Sequence, residues 1–108
     1  MKSLENIQVI NCTINDSVAY NRCVDIKYAT NVLIKDSEIF NCAYGIYGFS
    51  SNNLTIKNNN IHNTDADTVR IDDCSQVLIE ENNLHDLWRT PRSTEVHIDF
   101  IQWISWHP

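Results

Sequence analysis

The sequence is short of basic residues and has no run of them: 8 Lys and Arg stand against 14 Asp and Glu, a formal charge of −6 over 108 residues. A surface that neutralises phosphates needs clustered cations, so nucleic acid is excluded as a partner. No apolar stretch approaches the length of a membrane span, so membrane insertion is not expected. Met1-Lys2-Ser3-Leu4-Glu5 leads into patterned sequence without the apolar core of a signal peptide, and nothing in these residues directs export. No two of the four cysteines form a Cys-x-x-Cys pair, which argues against structural zinc. Neither a phosphate-binding loop nor a nucleophilic triad is present.

What is present is one pattern written four times. Asn6-Ile7-Gln8-Val9, Asn31-Val32-Leu33-Ile34, Asn53-Leu54-Thr55-Ile56 and Gln76-Val77-Leu78-Ile79 begin successive copies. Their leading residues are 25, 22 and 23 apart, a spacing that marks a solenoid. Apolar residues alternate within each copy, which is a strand period, so every coil begins with a short strand. Three residues after the second apolar position stand Cys12, Ser37, Asn59 and Asn82, small or amide residues suited to a bend. The Asn residues are expected to stack into a hydrogen-bonded ladder between coils, satisfying turn backbone otherwise buried unpaired. Ile14, Ile39, Ile61 and Leu84 then return inward, followed by the pairs Val24/Ile26, Ile46/Gly48, Val69/Ile71 and Ile101/Trp103.

One domain covers residues 1–108, with repeats starting near 6, 31, 53 and 76 and a loop insertion at 88–96. The first half of the repeat also satisfies a leucine-rich core. The second half favours a β-solenoid: a leucine-rich repeat places another Leu three positions before the strand, where this chain has Ala29, Ser51 and Cys74. The repeat is already running by Asn6 and is cut off at Pro108, so a piece of a longer protein is expected. Its uncapped end coils would be covered by flanking sequence, a partner or self-association. The cysteines fall at different offsets within their repeats, so none stacks on another, and four reduced thiols filling small spaces are expected.

The I-x-x-N-x-I core followed by a G-I or V-x-I strand resembles the repeat of right-handed parallel β-helix proteins of the pectate-lyase-like superfamily. His85-Asp86-Leu87-Trp88 with His97-Ile98-Asp99-Phe100-Ile101-Gln102-Trp103 also resembles a segment of β-helix proteins related to alginate lyases and mannuronan epimerases. The resemblance implies an all-β, right-handed parallel β-helix of about four coils. It also implies a carbohydrate-active protein, a lyase or C5-epimerase acting on an acidic polysaccharide. The other class is a non-catalytic structural or glycan-binding segment of a surface or phage tail protein. The chain leaves its location open, and either class is compatible with a full-length protein outside the cell or on a virion surface.

Candidate site residues follow from the period-two rule. With Val69 and Ile71 inward, Thr68, Arg70 and Asp72 turn outward, stacked between Gly45, Tyr47 and Phe49 on one side and Phe100, Gln102 and Ile104 on the other. Tyr47, Phe49, Asp72 and Gln102 make a saccharide surface through ring stacking and directed hydrogen bonds, or else an ordinary solvated sheet face. Asp65 and Asp67 share register with His97 and Asp99. Acidic side chains one rung apart repel unless a cation sits between them, so Asp65, Asp67 and Asp99 are candidate Ca²⁺ ligands, or else turn caps. His62 and His85 stack as a metal or acid–base pair, or as plain turn histidines. In a lyase or epimerase, Arg70 would clamp the uronate carboxylate and His97 would act as base or acid at C5. The −6 chain would repel such a polyanion unless Ca²⁺ or local cations screen it.

Overall fold

The computed structural model describes residues 4–15, 21–87 and 100–104, all in strands and the corners between them. Three parallel sheets, each four strands deep, wrap a single core. Sheet 1 stacks β1 (Leu4–Ile10), β4 (Ala29–Lys35), β7 (Asn52–Lys57) and β10 (Ser75–Glu80). Sheet 2 stacks β2 (Thr13–Asn15), β5 (Glu38–Cys42), β8 (Asn60–Thr64) and β11 (Asn83–His85). Sheet 3 stacks β3 (Arg22–Lys27), β6 (Tyr44–Phe49), β9 (Val69–Asp72) and β12 (Ile101–Ile104). Each coil thus contributes one strand to every sheet, and about three full turns separate β1 from β10. Among the described residues no helix is long and apolar enough to cross a membrane.

The inward columns are those the alternation predicts. Ile7, Val32, Leu54 and Val77 align in sheet 1, Ile14, Ile39, Ile61 and Leu84 in sheet 2, and Val24, Ile46, Val69 and Ile101 in sheet 3. β-branched side chains suit this pleated stack, because each lies directly on its equivalent one rung away. Burial is complete only in the middle coils, where Ile34, Ile39, Ile46, Ile56, Ile61, Val69 and Ile71 have no exposure. Toward the ends the stack thins: Ile7, Val9, Ile14 and Val24 are only partly buried, and Ile101 and Trp103 are exposed.

Corners are made without glycine. Among the described residues fourteen other than glycine have positive φ, and neither of the two glycines does. The left-handed residues form columns: Asn6/Asn31/Asn53/Gln76, then Asn11/Asp36/Asn58/Glu81, then Asn41/Asn63/Asp86, then Tyr28/Ser50/Asp73. Asn and Asp tolerate this region because their short polar side chains hydrogen-bond locally. Stacking adds a second reason, since Asn31 donates to Asn6 at 3.0 Å, Asn53 to Asn31, and Asn58 to Asp36 at 2.8 Å.

Just inside the second corner runs the expected ladder. Ser37 Oγ accepts the Cys12 N–H at 3.2 Å, Asn59 Oδ1 the Ser37 N–H at 3.0 Å, and Asn82 Oδ1 the Asn59 N–H at 2.9 Å. Each amide also donates to a main-chain carbonyl of the preceding coil, Asn59 to Ile34 at 3.0 Å and Asn82 to Ile56 at 2.8 Å. Asn59 is 2% exposed, so these partners replace water.

Two expectations are corrected. Cys23 and Cys42 form a disulfide, with Cα atoms 5.7 Å apart, whereas Cys12 and Cys74 are free. Comparing offsets tested only vertical stacking within one column. This pair bridges diagonally, from β3 of the first coil to the end of β5 in the second. Thr68 and Gly45 do not face outward. Thr68 is fully buried, its hydroxyl 2.9 Å from that of Thr64, because it precedes β9 and the alternation does not reach it. At Gly45 a side chain would point inward onto Ile61 and the Thr68 carbonyl.

Candidate functional site

The outer face of sheet 3 carries a cluster of aromatic and charged side chains. Its strand register places Asp25, Tyr47, Arg70 and Gln102 in one column and Lys27, Phe49, Asp72 and Ile104 in the next. Tyr47 is the hub. Its hydroxyl lies 2.7 Å from Asp72 Oδ2, and the guanidinium carbons of Arg22 and Arg70 lie 3.8 and 5.6 Å from its ring centroid. Tyr44 meets it edge to face at 5.2 Å. Both guanidinium groups lie within reach of the ring's quadrupole, Arg22 the nearer.

Asp72 is outward in register yet only 4% exposed, because Tyr47 and Arg70 cover it. Arg70 Nε donates to its carboxylate at 3.0 and 3.2 Å, and Arg70 also lies 3.7 Å from Asp67. Burial alone would lower the guanidinium pKa, but the hydrogen bond and charge of Asp72 outweigh it and raise it, so Arg70 stays a cation. Tyr47 is also raised, first by burial and then by its bond to Asp72, so its phenol is held protonated.

Beside this network lies a shallow cleft of about 340 Å³ lined by Arg22, Lys27, Tyr28, Tyr47 and Phe49. Tyr28 and Phe49 meet edge to face at 5.6 Å, and Tyr28 is 45% exposed. Arg22 and Lys27 share one carboxylate, Asp25, at 3.3 and 3.6 Å, so the cleft rim carries one net positive charge. Sequence reasoning took Tyr47 and Phe49 but missed Arg22, Lys27 and Tyr28. The signal was available: Lys27 stands one rung before Phe49, and the strand Arg22–Lys27 continues the same columns.

The other candidates are placed as follows. Asp65 and Asp67 are buried in the segment between β8 and β9. His97, Asp99 and the loop at 88–96 lie outside the described residues, and of Gln102 only the backbone pairing is described. Among the described residues no three His, Cys, Asp or Glu side chains gather to hold a metal ion. His62 and His85 do stack, 4.8 Å apart and nearly parallel, with Phe40 continuing the column at 5.1 Å. Three of the four ring nitrogens have partners shown: His62 Nε2 lies 2.9 Å from Glu38, and the two His85 nitrogens lie 2.7 Å from Asn60 and Asp86.

Residues 1–90 match the model of the right handed beta helix region family. The chain belongs to that family. No curated protein and no solved structure matches the chain. The match and the stacked parallel sheets agree on a right-handed β-helix, and the outer face of its third sheet is where this β-helix offers ring faces and cations together.

Proposed function

We propose that this β-helix binds an acidic polysaccharide along the outer face of sheet 3. The cleft of Tyr28, Tyr47 and Phe49 rimmed by Arg22 and Lys27 carries the proposal. Aromatic edges and faces offer apolar contact to pyranose rings, while two cations sharing a single carboxylate retain capacity for a sugar carboxylate. The local charge answers the repulsion expected from a −6 chain, since the cations sit where the polyanion would lie. Asp72 acts from beneath, holding Tyr47 and Arg70 in place.

Turnover is the second reading, favoured by a protonated phenol beside a guanidinium. In a lyase or epimerase Arg70 neutralises the uronate carboxylate, Tyr47 is positioned as a proton donor, and His97 is the candidate base at C5. Asp67 already faces a cation, Arg70.

Calorimetric titration with pectate, alginate and a neutral glucan, with and without Ca²⁺, tests both readings. Binding of the acidic glycans that falls at least tenfold in the Arg22→Ala/Lys27→Ala variant supports the first. Equal binding of the neutral glucan, or indifference to the double variant, overturns it. Growth of unsaturated-uronate absorbance that Arg70→Ala abolishes marks a lyase, and NMR of the recovered polymer reads epimerisation.

A further inference from the structure

We propose that the Cys23–Cys42 disulfide is a thiol-exchangeable lock on the first coil, whose reduction releases strand β3 from the stack. The inference stands on the fold and does not rest on the glycan reading. β3 is the end strand of sheet 3 among the described residues, paired on one side only, with β6. Its coil is also more thinly covered than the second, since Ile7, Val9, Ile14 and Val24 are partly exposed where their equivalents in the second coil are buried. The disulfide joins this weak coil to the solid one. It spans 19 residues and ties β3 to the end of β5, across both a rung and a corner.

The two sulfurs differ in access. Cys42 is wholly buried, whereas Cys23 lies partly exposed on the end strand. An incoming thiolate therefore attacks Cys23 Sγ. A mixed disulfide forms there, the bond to Cys42 breaks, and the Cys42 sulfur leaves with the electron pair and takes up a proton. A second thiol displaces the adduct, freeing the Cys23 thiol. In sum, one protein disulfide and two small thiols give two protein thiols and one small-molecule disulfide. The Cys42 thiol stays where it is, as a small apolar group against the core, so the second coil does not need to open. Only β3 loses a tether. Arg22 and Lys27 ride on β3, so the cleft rim is the part of the molecule that reduction disturbs.

The test uses the full chain isolated without reductant. Thiols are counted after denaturation, and amide hydrogen exchange is followed with and without dithiothreitol. Two thiols before reduction and four after are expected. With the disulfide opened, amides of residues 22–27 should exchange roughly a hundredfold faster while those of β7–β9 hold their rates. A Cys23→Ser/Cys42→Ala variant should show the reduced pattern permanently. If that variant does not fold, reduction of the unaltered chain still gives the reading. Four thiols in the isolated protein, unchanged exchange over 22–27 after reduction, or an equal acceleration in all sheets would each overturn the proposal.

Discussion

Replacing Asn59 by alanine removes the centre of the buried ladder, and the size of the loss follows from the bonds made. The Asn59 carboxamide accepts the Ser37 N–H and donates to the Ile34 carbonyl, both in a region closed to water. Alanine leaves a backbone donor without its acceptor and a backbone carbonyl with one partner fewer. At about 1–3 kcal/mol for each buried group left wanting, the variant should lose about 2–6 kcal/mol. That is a large share of the ~5–15 kcal/mol that stabilises an ordinary domain. Serine provides an internal control. At position 37 a serine already accepts the neighbouring N–H and turns its hydroxyl to the Lys35 carbonyl, within its own coil. Asn59→Ser should therefore keep one of the two functions and lose roughly half as much as alanine. Asn58→Ala, one residue earlier on the exposed corner, gives up a bond to Asp36 and a favourable left-handed residue, about 1 kcal/mol. Urea unfolding followed by far-ultraviolet circular dichroism measures all three. An Asn59→Ala loss no larger than that of Asn58→Ala, or serine no better than alanine, would refute the assignment of the ladder as a structural element.

Gly45→Ala should destabilise by about 2–3 kcal/mol or more, because its Cβ would lie 2.6 Å from both Ile61 Cγ2 and the Thr68 carbonyl oxygen. Gly48→Ala, which meets side-chain ends at 3.1 and 3.3 Å, should cost under about 1 kcal/mol, and thermal melts compare the two. Tyr47 has a folded-state pKa above its ordinary 10.0, so its share of stability is whole below pH 10 and is lost as pH rises through the folded value. Phenolate absorbance should show Tyr47 ionising above the ordinary range, and Asp72→Asn should bring it part of the way back, burial remaining. Cys12 is exposed, whereas burial pushes the Cys74 thiol up, so iodoacetamide should label Cys12 first, as peptide mass spectrometry will read. Equal labelling rates would contradict that ordering.

The core columns were legible in sequence because one physical rule governs them: branched apolar residues at every second position, repeated at the coil length. The ladder amides at 59 and 82 were legible for the same reason, as they recur at one offset. What the sequence hid was diagonal. Cys23 meets Cys42 across a corner, and Tyr47 reaches Asp72 one column over and one coil on, contacts that a count along one column does not test. Thr68 was misplaced because strand alternation was carried past the first residue of β9. The cleft was half seen. Arg22, Lys27 and Tyr28 belong to the coil before Tyr47 and Phe49, two coils from Arg70, whereas the sequence reading follows the columns one coil to either side of Arg70.

The left-handed corners also act as a ruler. From the first corner to the second the distance is five residues in every coil, as in Asn6 to Asn11 and Gln76 to Glu81. From the second to the third it is again five, and from the fourth to the next first corner it is three, in every coil where both are described. Between the second corner and the fourth it varies, with 17 residues from Asn11 to Tyr28, 14 from Asp36 to Ser50 and 15 from Asn58 to Asp73. All the irregularity in coil length therefore passes through a single edge, the seam between sheets 2 and 3. Two edges are rigid and one is permissive, so the molecule can accept inserted or grafted sequence along that seam while the rungs keep their register, and whatever is inserted there emerges beside the face that carries Tyr47.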